Sequence, residues 1–345
     1  MDEAGSAASP LETLRDPHSY LAPDRGKWLQ LLSSNPASQP GDLALTLAVD
    51  RDTVVGRLGF YAGAYCVSGR SSTTFWMDGF ALQPEYRASG IGGVMLLEAR
   101  KRLPSLLASG GPDESAQRLY RAAGLLDLGR LLRFVHVLRA EAVTSRLFPN
   151  QTSAALAGTL ASPFLWMYNR ARARILSGRP ACSYRPVQSF EPGLDRIFDL
   201  EDRHYFRRDT RTLNWILGHR DFHAVEIYEG NGLEGYCLLK IADTKTRCGA
   251  TVRTGLLVDF YLRDSAIGAR LDLLKFATAF AREREALSLI CQVRGDIMSE
   301  ACLSAGMTEL AGNHVFFRPH PRDAEAALQR QWFLTNATSD VVLCV

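Results

Sequence analysis

Phe80-Ala81-Leu82-Gln83-Pro84-Glu85-Tyr86-Arg87-Ala88-Ser89-Gly90-Ile91-Gly92-Gly93 is the stretch that decides the fold. An apolar strand runs into a turn and then into the run Val94-Met95-Leu96-Leu97-Glu98-Ala99-Arg100-Lys101-Arg102-Leu103, which is helical in composition. Glycines at 90, 92 and 93 let the backbone approach a ligand closely. The unpaired N–H groups of the helix start would point at that ligand. Together they form an anion site suited to a pyrophosphate, with Arg87 at its rim. The spacing is not that of a P-loop, because no Gly-Lys-Ser/Thr follows. It is also Gly-x-Gly-Gly and not the Gly-x-Gly-x-x-Gly of a dinucleotide fold.

The chain around this turn has 345 residues, 46% of them hydrophobic and 22% charged, with a net charge of +3. That composition is ordinary for globular proteins and suggests about two domains. It excludes wholesale disorder and a multi-span membrane protein, and the near-neutral charge argues against DNA as a partner. Charge is uneven: Glu85–Arg179 holds 14 Arg or Lys against 6 Asp or Glu. The seven cysteines, Cys66, Cys182, Cys237, Cys248, Cys291, Cys302 and Cys344, form no CxxC pair. With no signal-like start, they read as core residues of a reduced, cytoplasmic protein.

Before the decisive stretch lie a helix near Asp24–Leu32 and strands over Leu43–Val49, Val54–Tyr65 and Thr73–Leu82. After it come the helix Glu114–Ala123, ended by Gly124, and a strand through Phe134–Leu138 that would complete an α/β unit. Ala154–Asn169 is an apolar helix interrupted by Pro163 and followed by Arg170, Arg172 and Arg174. It is too short and broken to span a bilayer; it fits a linker helix packed between domains or a helix on a membrane surface. A second α/β pattern follows: helix Leu194–Tyr205, hairpin His223–Tyr228 and Leu233–Ile241, and strand Thr251–Leu262. The helix Ser265–Arg284, strand Leu287–Val293, helix Ile297–Ser304 and strand His314–Arg318 complete it. The layout thus occurs twice. The expected parts are a flexible end (1–12), a first domain (13–140), a helical linker (141–183) and a second domain (184–345).

Gln83-Pro84-Glu85-Tyr86-Arg87-x-x-Gly90-x-Gly92, entered from a strand and followed by an apolar helix, resembles the acyl-CoA-binding signature of the GNAT acyltransferase superfamily. Ala116-Gln117-Arg118-Leu119-Tyr120-Arg121-Ala122-Ala123-Gly124-Leu125 is similar to that family's second element, with Leu125 in place of the usual aromatic. The resemblance covers residues 25–140. It is weaker in the second half, where Arg263–Gly268 lacks the Gly-x-Gly turn and Cys302-Leu303 stands where the tyrosine would be. The closing Trp332-Phe333-Leu334-Thr335 and Asp340 resemble tandem GNAT-like proteins found near bacterial polysaccharide genes.

The resemblance implies an α/β (α+β) protein of two tandem GNAT-like domains, each a mixed, mostly antiparallel sheet flanked by helices. The second would be a degenerate copy without donor binding. It implies acetyl-CoA or another acyl-CoA as co-substrate and transfer to an amine or hydroxyl of a small-molecule or glycan acceptor, by direct attack in a ternary complex. Arg87, Ala88, Ser89, Gly90, Ile91, Gly92 and Gly93 would hold the CoA pyrophosphate. Phe80, Ala81 and Leu82 would pair with the pantetheine arm, whose thioester lies in a splay between two strands. Tyr120 would protonate the leaving thiolate. Asp78, on the strand entering the loop, would act as base or orient the amine. Asp259 is its counterpart in the second half, and the cluster Arg203–Asp209 could hold an anionic or sugar-like acceptor. The seven histidines show no metal-ligand spacing, so no metal is expected. Two other readings stay open: a non-catalytic acyl-CoA-binding scaffold or sensor, and a Fem-like transferase that takes its donor from aminoacyl-tRNA.

Overall fold

A computed structural model describes residues 30, 32–110, 114–148, 151–175, 182–198, 204–245, 251–263, 267–294, 296–329 and 332–335. The expected 1–12 end, nearly all of the helix near Asp24–Leu32, Cys248, Cys344, Arg203, Asp340 and residues 264–266 of the 263–268 turn lie outside these residues. The chain divides into two compact units. Unit 1 comprises 1–129, 206–215 and 314–330; unit 2 comprises 130–205, 216–313 and 331–345. Neither unit is contiguous in sequence.

Unit 1 carries β1 (Leu45–Asp50), β2 (Thr53–Val67), β3 (Arg70–Leu82), β4 (Leu106–Gly110), β5 (Leu126–Arg130) and β14 (His314–Arg318). Their order in the sheet is β1-β2-β3-β4-β14-β5. Only the β3–β4 pair is parallel among the registers of this sheet. Helices α1 (Ile91–Arg102) and α2 (Glu114–Ala122) flank it. Met95, Leu96 and Ala99 of α1 fall on one helical stripe and bury against Leu58, Phe60, Phe75 and Met77.

Unit 2 carries β6 (Leu132–Val137), β7 (Ser183–Val187), β9 (His223–Glu229), β10 (Gly232–Lys245), β11 (Thr251–Leu262), β12 (Ser288–Arg294), β13 (Thr308–Leu310) and β15 (Trp332–Thr335). The sheet runs β7-β9-β10-β11-β12 and continues through β6 to β13, with β11–β12 parallel. Its helices include α3 (Glu141–Leu147), α4 (Gln151–Ile175), α6 (Ile267–Glu283) and α7 (Asp296–Ser304). A further helix, α5 (Thr210–His219), begins in the 206–215 stretch of unit 1.

Three expectations need correction. The strand read through Phe134–Leu138 as completing the first unit spans Leu132–Val137, pairs with β12 and lies in unit 2, whereas His314–Arg318 pairs with β4 and lies in unit 1. Burial decides the exchange. Phe134 is fully buried in the unit 2 core and Phe316 in the unit 1 core, and each such ring is worth about 1.5–3 kcal/mol. The described parts of the expected helix Leu194–Tyr205 are not α-helical: Pro192–Phe198 is a 3₁₀ turn and His204–Arg207 is a strand, β8. Aromatic residues next to His204 favour that pleated, buried setting. Finally, α4 runs through Pro163 without interruption.

Candidate functional site

In unit 1, β3 and β4 pair at only two positions, Phe75↔Leu106 and Trp76↔Leu107. Beyond them β3 continues six residues to Leu82, and no described strand pairs with that edge. On its other side β3 stays paired with β2 to Leu82, but its register shifts at Leu58, which faces two residues, Gly79 and Phe80. This is a β-bulge, and Gly79 sits in it at φ +63°, a conformation costly to any residue with a Cβ. A bulge bends its strand and reverses the side-chain phase. Phe75 and Met77 face α1, as do Phe80 and Leu82, while Trp76 and Asp78 face the other way. The order Phe75-Trp76-Met77-Asp78-Gly79-Phe80 does not alternate strictly between apolar and polar, and the bulge is the geometric cause.

The open edge ends in a 3₁₀ turn, Pro84–Tyr86, and then Gly90, which begins α1 at φ +82° with open space where a Cβ would be. Arg87, Ala88, Ser89 and Gly90 are at least partly exposed. Ser89 Oγ accepts from the Ile91 N–H at a weak 3.3 Å. Gly92 serves packing: an added Cβ would lie 3.0 Å from Phe80 Cζ and 3.1 Å from Leu82 Cδ1. The helix start is thereby pressed onto the open part of β3.

Tyr120 and Asp78 lie on opposite faces of this sheet. Tyr120 is buried among the apolar residues on the α1 side, its ring 5.3 Å from that of Phe316. It sits where α2 closes: Leu125 N–H donates to the Tyr120 carbonyl and Gly124 N–H to that of Arg121, a paired C-terminal cap. Asp78 is 1% exposed and opposes Gly59. Strand alternation puts Arg57, Tyr61 and Trp76 on its face. Arg208, also buried, stacks on the Trp76 ring at 3.8 Å. Sequence reasoning does not single out Arg57 or Arg208 individually. The alternation of β2 around Leu58 and Phe60 could flag Arg57; nothing local flags Arg208. Elsewhere in unit 1, Tyr65 Oη and Ser72 Oγ both donate to Asp323 Oδ2, at 2.7 and 2.8 Å. Burial and the Asp323 carboxylate push the Tyr65 hydroxyl up to about 12.

Unit 2 repeats the frame with its key parts replaced. Here β11 and β12 pair at four positions, Thr254↔Ser288 through Leu257↔Cys291. β6 flanks β12 on the opposite side as far as Val293. β15, paired at Val293↔Thr335 and Arg294↔Leu334, therefore occupies the side on which β11 and β12 would part. Thr335 Oγ1 donates to Asp259 Oδ1 at 2.6 Å, and Tyr236 Oη donates to its Oδ2 at 2.8 Å. Asp259 is thus bound into the interior of unit 2. The α7 cap repeats that of α2, with Met307 N–H donating to the Cys302 carbonyl. Cys302 stands at the position of Tyr120, and the neighbouring Cys291 together with burial raises its thiol far above the ordinary value. All five described cysteines are buried. Among the described residues no cluster of three or more His, Cys, Asp or Glu could hold a metal ion.

No protein-family model matches the chain, and no curated protein matches it in sequence. Among solved structures it is similar to a GCN5-related N-acetyltransferase from Anabaena variabilis at 14% identity and a TM-score of 0.50, covering 79% of this chain and 62% of that one. It is also similar to an Enterococcus faecalis protein of unknown function, described as a probable N-acyltransferase, at 13% identity and a TM-score of 0.50, covering 85% of this chain and 70% of that one. The fold is that of the GCN5-related N-acetyltransferases. The chain spans about three fifths of the Anabaena protein's length. In that GCN5-related fold, no described strand pairs with the far edge of β3 in unit 1, whereas unit 2 fills the matching place with its own β15.

Proposed function

We propose that unit 1 binds an acyl-CoA and that the protein transfers the acyl group to an amine or hydroxyl of a small-molecule or glycan acceptor. The observation that carries this reading is the edge of β3 beyond Trp76, unpaired among the described strands and ending at the exposed start of α1. An unpaired strand edge offers N–H and C=O groups to an amide-bearing arm. A glycine-led helix start offers N–H groups to a pyrophosphate. The two chemistries of the CoA molecule are thus met in the right sequence, by Phe80–Leu82 and then by Arg87–Gly93.

Bound there, an acyl-CoA would supply an activated thioester carbonyl. The residues of the chain would do the rest. Because β3 and β4 part, a group between them is open to both faces of the sheet. The Tyr120 hydroxyl would approach from the α1 side and give its proton to the departing sulfur. Asp78 would approach from the other side and hold the acceptor's ammonium or hydroxyl proton. Holding both reactants in one complex supplies much of the rate. Unit 2, with Cys302 in place of tyrosine and its strand gap filled, would bind no donor.

The test is a thermal-shift titration with CoA, acetyl-CoA and a long-chain acyl-CoA. A ligand of the native state raises the melting point by mass action. A rise with at least one of them supports the reading, and a larger rise with the long chain would indicate a lipid-type donor. No rise with any of the three overturns it.

A further inference from the structure

The helix α4 has two faces of opposite character. On one side Ala154 and Gly158 are buried. A Cβ on Gly158 would come within 3.1 Å of Glu141 Cγ and 3.3 Å of Thr144 Oγ1, so this side is packed tightly on α3. On the other side Leu156, Leu160, Phe164 and Met167 are 55–71% exposed among the described residues. Their spacing of four, four and three keeps them on one stripe, about 16 Å long at the helical rise. The adjoining α3 exposes Val143 and Leu147, one turn apart. Single exposed apolar residues are common, but a continuous row of four long ones marks an interaction surface.

Charge says what covers it. From Ala142 to Ile175 the sequence contains no Asp or Glu and four arginines: Arg146, Arg170, Arg172 and Arg174. Three of these fall in the last six residues of α4, directly after the stripe, and Trp166 and Tyr168 lie in the turn before them. A second copy of the chain would bring an equally carboxylate-free, cationic segment against it. An anionic surface would instead complement both parts. No described helix is long and apolar enough to cross a membrane.

We propose that the α3–α4 pair is a peripheral membrane-binding surface, with the Leu156–Met167 stripe lying in the interface of an anionic bilayer and the arginines meeting lipid phosphates. Nothing in this surface depends on the donor site of unit 1, and the two assignments stand or fall separately.

The test is flotation of the full chain with vesicles of phosphatidylcholine alone and of phosphatidylcholine with equimolar phosphatidylglycerol. Light scattering of the free protein runs in parallel. Binding to the mixed vesicles and not to the neutral ones is expected, weakened between about 0.1 and about 0.5 M salt. Leu160→Glu with Phe164→Glu should abolish it. The triple change Arg170→Gln, Arg172→Gln and Arg174→Gln should weaken it by about fivefold per arginine, on the order of a hundredfold in all. Since these positions belong to unit 2 and none is in the donor site of unit 1, both variants should keep the wild-type response to CoA. Failure of the wild type to float with mixed vesicles overturns the proposal. So does equal flotation of the Leu160→Glu/Phe164→Glu protein, or a dimer that this variant converts to monomer.

Discussion

Gly92→Asp, compared with Gly92→Ala, separates the two roles of the α1 start. The alanine adds a Cβ at 3.0 and 3.1 Å from Phe80 and Leu82. Overpacking of this kind costs about 1–3 kcal/mol, offset by up to about 1 kcal/mol of helix propensity. The aspartate carries the same Cβ plus a charge that is mildly favourable at a helix start, by about 0.3–1 kcal/mol. Both variants should therefore fold, with melting points a few degrees below wild type. They differ toward an anion. A carboxylate about 5 Å from a phosphate charge opposes it by about 0.8 kcal/mol in water and about 3 kcal/mol in a half-buried site. Calorimetric titration with CoA should show weakening of roughly 4- to 150-fold for Gly92→Asp. Gly92→Ala should stay near wild type. Wild-type affinity in the aspartate variant would refute the pyrophosphate assignment. Equal losses in both variants would show that packing, and not anion recognition, is what the position controls.

Tyr120→Phe should lower turnover by about 10²-fold or more while leaving CoA affinity unchanged; an unchanged rate in a thiol-release assay would remove Tyr120 from the chemistry. Tyr65→Phe withdraws a donor from the buried Asp323 carboxylate, and chemical denaturation should show a loss of about 1.5–3 kcal/mol. Burial by itself would raise the Asp323 pKa, but hydrogen bonds from Tyr65 and Ser72 and the charges of Arg322 and His320 hold it below the ordinary carboxyl value. Its contribution is thus present above about pH 4 and is lost as pH falls through the folded value. The acid-unfolding midpoint of Tyr65→Phe should therefore move to higher pH, and a midpoint unchanged or lower contradicts the network. Thr335→Val removes the donor to Asp259 Oδ1 and should cost about 1.5–3 kcal/mol by denaturation, with Thr335→Ser recovering most of it; equal stability of the valine variant would show that β15 is not held through Asp259.

Local chemistry was legible in the sequence. The turn at Gly90, the helix closure at Gly124, the strand Thr251–Leu262 and the hairpin of His223–Tyr228 with Leu233–Ile241 all rest on residues within a few positions of one another. What escaped depends on distant partners. Leu106–Gly110 is five residues between a proline and a glycine pair, too short for a period to show, yet its two-residue pairing with β3 opens the gap on which the functional reading turns. Leu132–Val137 and His314–Arg318 read correctly as strands, but no local signal states which sheet a strand joins. That choice is made by the cores that accept Phe134 and Phe316. The bulge at Gly79 was visible only as a broken alternation, and without it the facing of Asp78 could not be assigned.

The exchange of β6 and β14 also constrains how the protein is made. A ribosome releases residues 1–129 long before His314–Arg318, so the first unit waits for its β14 strand until nearly the whole chain has emerged. Contacts such as Ser72 to Asp323 join residues 251 apart, and closures of that length slow folding and prolong exposure of unpaired edges. Residues 1–129 produced alone would present β4 with no β14 to cover it. Neither unit can be excised at a single cut, and a shortened chain that keeps both units whole must still run from the first strand to the last.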